Sequence, residues 1–408
     1  MNIAIIGGGA AGFFAAITCA EANPDCRVTI FERGKSVLEK VRVSGGGRCN
    51  VTHYCFDART LVQHYPRGSR ELLAPFLRFG PEQTVDWFER RGVRLKAEAD
   101  GRMFPVTDDS QTIMDCLQRA ARQAGVQVRL GARVTHITPD AAGWQLQVPG
   151  EPPESFAKLL VATGSSTAVW DRLRELGHHI VAPVPSLFTF NTKDTRLRDL
   201  SGLSVPQAQL RLPGARLQAQ GPLLVTHWGL SGPAVLRLSA WGARELQALE
   251  YRFALEVNWL GAVSTPEAGA QLQALKTEQA KKTVLAHAPF MLPLRLWQRL
   301  CAAAGLVEEA LRWADLDKVR LQQLAQQLTA ATFQIAGKSP FKEEFVTAGG
   351  VQLKEVDFRT FESRLHPRLY LAGEVLDIDA ITGGFNFQAA WTGGWLAGNA
   401  MAREIDQG

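Results

Sequence analysis

The chain lacks the cysteine patterns of disulfide-stapled or metal-knuckle proteins. Its six cysteines, Cys19, Cys26, Cys49, Cys55, Cys116 and Cys301, are scattered over 408 residues, and none forms a C-x-x-C pair. A disulfide scaffold needs far denser cysteine. No Cys/His cluster has ligand spacing, so no metal site is expected. Free thiols in a reducing cytoplasm are the expectation. No apolar run reaches membrane-spanning length. The start of the chain shows no basic region followed by an apolar core and a cleavage site. Neither sign of charge dominates: 45 Lys+Arg stand against 40 Asp+Glu, a formal net charge of +5. Spread over this length, that excess does not ask for nucleic acid or a membrane surface as partner. There is no internal repeat, low-complexity tract or sustained heptad run. What is left, at 46% hydrophobic and 21% charged residues, is a globular chain long enough for two or three domains.

What the chain does have stands at its first residues. Residues 2–6 are a short apolar, β-branched run and read as a buried strand. Gly7, Gly9 and Gly12 follow at G-x-G-x-x-G spacing, with Ala10 and Ala11 between them, then a helix over 13–22. Residues 27–31 read as a second strand, closed by Glu32 and Arg33. Gly7 allows the tight turn, Gly9 lets a pyrophosphate approach the backbone, and Gly12 lets the helix pack on the strand. The free N–H groups of the helix start face the anion. Glu32 is placed to accept hydrogen bonds from a ribose hydroxyl. A lone glycine motif is weak; here it has the strand–turn–helix–strand–acid context that the motif requires.

A second glycine loop follows: Ser44, Gly45, Gly46, Gly47, Arg48, Cys49, Asn50. Three consecutive glycines weaken any helix or strand, and make sense where main chain passes close to a flat ligand or forms an anion nest. Arg48 is a candidate for a phosphate or a developing anion, and Asn50 for a cap or a ligand carbonyl. Cys49 has no His–Asp constellation beside it and reads as a small residue at a tight approach, not a nucleophile. His53 reads as a satisfied loop histidine before it reads as a base. Residues 70–92 have helical periodicity, and Asp109 with Ser110 caps a helix over 111–123. Strands are expected at 126–130, 132–137, 144–148 and 158–162. The last ends in Ala162-Thr163-Gly164, small residues suited to lie beside a dinucleotide.

Pro183 and Pro185 mark a change of organisation. From 191 to 332 the pattern is that of an inserted domain, with strands at 203–212, 217–225 and 253–257 and helices at 267–280 and 316–328. In it Ser231 and Pro233 are placed to open a helix over 234–240. His227 there reads first as a structural histidine, and second as a residue facing substrate. Arg295, Arg299, Lys281 and Lys282 read as a solvated face before a patch for an acidic partner. Strand pattern returns at 333–335 and 344–347. A final buried strand at 369–372 runs into Gly373 and Glu374. Gly383, Gly384, Phe385 and Asn386 then open a helix to 402. Glu374 can hold a polyol hydroxyl, and the helix start can face a group that becomes negative on reduction. The two ends together fit one long cofactor, FAD. No second G-x-G-x-x-G follows a strand in the middle of the chain, so a nicotinamide donor, NAD(P)H, if used, binds transiently.

The set IIGGGAAG, SGGGRCNVTH, GRMFPV, VATG, THWGLSGPA, VTAGG and LYLAGEVLDIDAITGGFNFQAAWTGG resembles the HI0933-like, or BaiN-like and aminoacetone-oxidase-like, family of FAD-binding proteins, in the same order over nearly the whole chain. The resemblance implies an α/β fold: a discontinuous Rossmann-type FAD-binding domain of the glutathione-reductase class at 1–190 and 333–408, with a β-rich and helical domain inserted at 191–332. It implies cofactor contacts at Gly7, Gly9, Gly12, Glu32, Arg33, the 44–50 loop, Thr163, Gly164, Gly373, Glu374 and 384–386, and makes Val134 the residue whose backbone meets adenine. Val41-Arg42-Val43, ahead of the triple glycine, departs from the Lys-containing, more apolar run of the family, so the resemblance carries no contacts at 40–43. Members are linked to amine oxidation and to reduction of conjugated enones, so the resemblance leaves the reaction open. The expectation is an FAD-dependent oxidoreductase passing hydride between flavin and a small organic substrate, as an NAD(P)H-linked reductase. Arg48, Asn50, His227 and Asn386 are candidate polar lining, with no acid or base singled out. The alternatives are an amine-type oxidase using dioxygen, and a non-catalytic flavin redox sensor or RNA-associated, partner-binding protein.

Overall fold

The computed structural model describes residues 1–141, 143–338 and 346–404. They divide into two compact units, residues 1–183 with those from 347 on, and residues 184–346.

The first unit is built on a seven-stranded sheet. Its order is Val356–Asp357, Glu362–Ser363, Leu369–Leu371, Lys158–Val161, Asn2–Ile6, Arg27–Phe31, Gln127–Arg129. The five strands from Leu369–Leu371 onward are parallel, with Ile3 between Lys158 and Val28. The three central strands are buried almost throughout, as runs covered on both faces must be. The first helix, Ala10–Ala22, is buried from Ala11 to Ala20, and a helix apolar all round has to be enclosed. The last helix, Phe385–Met401, encloses it. A Cβ added at Gly394 would lie 2.6 Å from the Ala11 carbonyl oxygen, and one at Gly398 2.6 Å from that of Ala15. The two backbones therefore touch. Phe14 fills the rest of the seam against Phe79, Trp87 and Trp391. Lys158 seats the end of the last helix, its Nζ donating to the carbonyls of Met401 at 3.1 Å and Arg403 at 2.6 Å. A cation there complements the helix dipole.

The second unit carries a six-stranded antiparallel sheet, ordered Phe190–Asn191, Gly229–Ser231, Gln218–Val225, Ser204–Arg211, Arg252–Asn258, Ala331–Ala336. Its last two strands alternate buried and open positions, the pattern of a sheet with one covered face. Helices Thr265–Glu278, Leu294–Ala303 and Lys318–Thr329 contribute to its core, where Trp259, Trp297 and Trp313 are buried.

Several expectations shift. The strand at 333–335 belongs to the second unit, because Ala331–Ala336 pairs with Arg252–Asn258 in full register. The unit boundaries thus fall at 184 and 346 rather than 191 and 332. Glu344 and Phe345 lie outside the described residues. Ser231 caps nothing: it pairs with Leu224 in a strand, and Gly232 precedes helix Pro233–Trp241. Of the strand expected at 132–137 only the end forms, in the hairpin strand His136–Pro139. Helix Leu294–Ala303 was not foreseen; Arg295 and Arg299 on it donate to the carbonyls of Asp199 and Arg198.

Gly398→Val forces two helix backbones apart and should lower stability by about 1–3 kcal/mol. A urea titration of the cofactor-free protein checks it; an unchanged midpoint would show that the seam tolerates a side chain.

Candidate cofactor site

The turn after the first strand is set by sterics. A Cβ at Gly7 would lie 2.4 Å from the Ala162 carbonyl, and one at Gly12 2.0 Å from that of Gly7. At Gly9 a Cβ would meet nothing within 4 Å. Gly9 is also the N-cap of the first helix, with no side-chain cap and no acid in the first turn. The amides at Ala10 and Ala11 thus begin a helix whose positive end faces open space, which suits an anion. Glu32 braces the turn: Gly8 N–H donates to its Oε2 at 2.8 Å and Gly34 N–H to its Oε1 at 2.7 Å. A carboxylate has about four acceptor positions, so capacity for a ribose hydroxyl remains.

Beside it lies a cavity of about 120 Å³ whose lining includes Gly7, Glu32, Arg33, Arg133, Val134 and Thr163. That is several times the roughly 10–15 Å³ one water needs. Thr163 Oγ1 is buried and has no partner among the described residues, and such a group ordinarily has one. Arg133 was not foreseen; its signal was its place next to Val134.

The triple-glycine loop is a kinked end of helix Glu39–Gly47, with Gly45, Gly46 and Gly47 all at positive φ. Gly45 is packed against Asn50 and Phe104, whereas Gly46 and Gly47 border open space. Ser44 closes the loop inward, its Oγ donating to Val41 O at 2.9 Å and its carbonyl accepting from Cys49 N–H. Cys49 is fully buried, and burial pushes its thiol up to about 12, so it carries no thiolate at neutral pH. Arg48 is not a free anion-binding cation. It lies over the Phe104 ring, 4.0 Å from its centroid, and pairs with Glu98 at 2.6 Å and Asp108 at 3.5 Å.

Asn50 ties this loop to the other end of the chain. Its amide donates to Thr52 O and accepts from Gly384 N–H, both at 3.0 Å. Gly384 is left-handed, and a Cβ there would lie 2.5 Å from Thr52 O. Asn386 is equally occupied, bonding Ala380 N at 3.0 Å and Ala380 O at 3.1 Å. Neither amide is spare lining; both hold the turn before Phe385–Met401. That helix also starts without a side-chain cap or acid. Tyr65 Oη donates to the Phe385 carbonyl at 2.5 Å. Gly373 sits against the Ala11 side chain, and Gly164 3.5 Å, by its added Cβ, from Glu374 Oε2. Glu374 is ion-paired with Lys40 and accepts from Thr347 N–H at 3.1 Å. His227 belongs to the second unit, exposed in a turn that Thr226 Oγ1 closes. Among the described residues no group of three His, Cys, Asp or Glu could hold a metal, and no helix is long and apolar enough to cross a membrane.

A family model described as "HI0933-like protein Rossmann domain" matches residues 1–400. The chain belongs to the HI0933-like family. It is an FAD-dependent oxidoreductase with a Rossmann-type α/β fold. The chain is 28% identical over 422 residues to a 3-dehydro-bile acid delta(4,6)-reductase of Clostridium scindens, covering 98% of this chain and 99% of that one. It is 30% identical over 405 residues to a ribosomal RNA dihydrouridine synthase of Escherichia coli, covering 96% and 95%. Among solved structures, a 3-ketosteroid-delta4-(5alpha)-dehydrogenase from Rhodococcus jostii matches with a TM-score of 0.54 at 14% identity, over 98% of this chain and 96% of that one. At that identity the likeness is one of fold.

The residues present fit FAD: uncapped amides at two helix starts, glycines bordering open space, a cavity beside Glu32 and Val134, and an unsatisfied buried hydroxyl. Two substitutions separate binding from folding. Gly9→Val should leave the melting temperature of the cofactor-free protein unchanged, because a Cβ there meets nothing within 4 Å, yet weaken FAD binding at least about tenfold. Thr163→Val should weaken it about 3- to 10-fold, the loss of one hydrogen bond. Fluorescence titration of FAD into cofactor-free protein measures both; unchanged affinity in Gly9→Val would place the cofactor elsewhere.

Proposed function

We propose that this enzyme reduces a carbon–carbon double bond conjugated to a carbonyl. The observation that carries the reading is that two relatives, matched over almost their whole length, bear names describing one chemistry. A 3-dehydro bile acid with a Δ4 bond holds an alkene next to its ketone. Dihydrouridine arises when the uracil double bond beside its carbonyl is saturated. In both, hydride goes to the carbon remote from the carbonyl and a proton to the nearer one.

FAD, when bound, supplies the hydride-carrying centre. The chain's own groups hold and bias it. Gly7, Gly9, Gly12 and the amides at Ala10 and Ala11 take the pyrophosphate. Glu32, Arg33, Val134 and Thr163 take the adenosine. The uncapped helix start at 384–386 offers a positive dipole to the end that gains charge on reduction. Gly46 and Gly47 leave room for a flat ring system. A nicotinamide donor visits this same site, since the chain has no second dinucleotide motif. The substrate is a small molecule, and the enzyme works in the cytoplasm, which its six free thiols suit.

The 30% identity to the dihydrouridine synthase favours a second reading of the substrate alone, in which the reducible ring is a uracil within RNA. An oxidase reaction with dioxygen is the remaining alternative.

Purified protein should be yellow and should bleach anaerobically with NADH or NADPH. A 3-oxo-Δ4 steroid or a uridine-containing RNA transcript should restore the colour faster than buffer alone. Colour restored by air alone, with neither compound accelerating it, would favour the oxidase. A flavin that stays yellow with both nicotinamides removes the NAD(P)H link.

A further inference from the structure

Lys40 stands in the first turn of helix Glu39–Gly47, where a cation opposes the helix dipole, so the helix gains nothing from its charge. Its ammonium is paired instead with Glu374, 334 residues on. The Lys40 side chain is 64% exposed and that of Glu374 18%. An ion pair this open contributes little to stability. Its position has more to say. On one side, Leu38 N–H donates to the Gly8 carbonyl at 2.9 Å, and a Cβ added at Gly8 would lie 2.9 Å from the Val37 side chain. On the other, Gly373 packs on Ala11, its added Cβ 3.2 Å from that of the alanine, and Glu374 Oε2 lies 3.5 Å from a Cβ added at Gly164. The two charges are therefore carried by segments that stand against the two ends of the Gly8–Ala11 turn. They meet beside the uncapped start of the first helix.

We propose that Lys40 is a cofactor-binding residue, its ammonium passing from Glu374 to the pyrophosphate when FAD enters. This rests on the placing of the pyrophosphate at Gly7, Gly9 and Gly12 above. Each member of the ion pair has a match of its own on the ligand. A pyrophosphate is an anion and takes an ammonium; a ribityl chain offers hydroxyl hydrogens and takes a carboxylate. The exchange leaves neither charge unpaired. It also removes a repulsion. Two carboxylates, Glu32 and Glu374, border the turn that a doubly charged anion must reach, and an ammonium between Glu374 and that anion offsets the unfavourable term. Lysine suits such a change of partner, because its point charge sits on a flexible stem and has no fixed fork to re-aim.

The test is FAD affinity, read as flavin fluorescence while the cofactor is titrated into cofactor-free full-length protein. ADP serves as competitor, because it carries the pyrophosphate without the ribityl chain or the flavin. Lys40→Met should weaken FAD and ADP alike, by about 5- to 30-fold, the loss of one charge-assisted hydrogen bond partly open to solvent. The loss should persist when Glu374→Gln is present in the same chain, and Lys40→Arg should recover most of the affinity. The melting temperature of the cofactor-free Lys40→Met protein should equal that of wild type; a lowered one would make Lys40 a structural strut and overturn the proposal. Unchanged FAD affinity in Lys40→Met overturns it too. So does a loss that spares ADP, or one that disappears beside Glu374→Gln, since Lys40 would then only position Glu374. If ADP competes equally well in wild type and Lys40→Met, the placing of the pyrophosphate stands and the role of Lys40 falls. If ADP fails to displace FAD from wild type, that placing fails and takes the proposal with it.

Discussion

The first and last helices meet backbone to backbone, and everything at the site depends on that contact. Glycine at 394 and 398 lets the carbonyls of Ala11 and Ala15 approach where any side chain would collide. The first helix begins at the Gly7–Gly9 turn, and the last begins at the Gly384 turn. Fixing the seam fixes the distance between these two uncapped helix starts. A cofactor that must be bound at both ends needs such a rigid spacing.

Around this seam most polar side chains serve the frame rather than the ligand. Arg48 is held by Glu98, Asp108 and Phe104; Asn386 is spent on Ala380, and Asn50 on Thr52 and Gly384. Among the described residues, what remains without a partner near the two helix starts is main-chain amide and the buried hydroxyl of Thr163. This division has a physical logic. Backbone dipoles need no reorganisation when charge develops, so they serve as binding groups, while side chains lock the loops that present them.

Residues whose role is local were legible in the sequence. Gly7, Gly12 and Gly384 announce themselves because a turn or a close approach tolerates nothing else, and the structure shows the clash each avoids. The central strands were legible as unbroken apolar runs. What the sequence hid is tertiary. Nothing near Arg48 says that Glu98, fifty residues on, will claim it. Nothing near Phe333 says that Arg252–Asn258 will recruit its strand across the expected boundary. Ser231 carried the right chemistry for a cap, but its backbone was taken by a sheet. Nor does anything near His53 say that Gly101, Gly383 and Phe385 will converge on its ring from distant segments.

The parallel sheet takes its middle strands from residues 2–6, 158–161 and 369–371. During synthesis the opening strand must therefore wait for residues 158–161, and that strand in turn stays unpartnered on one side until residues 369–371, near the end of the polypeptide, have left the ribosome. The second unit, contiguous in the chain, has all its strands well before that. Long-range pairing of this kind is slow and leaves sticky edges exposed. Biogenesis should thus run from the inside of the gene outward, the inserted module maturing first and the dinucleotide fold sealing last.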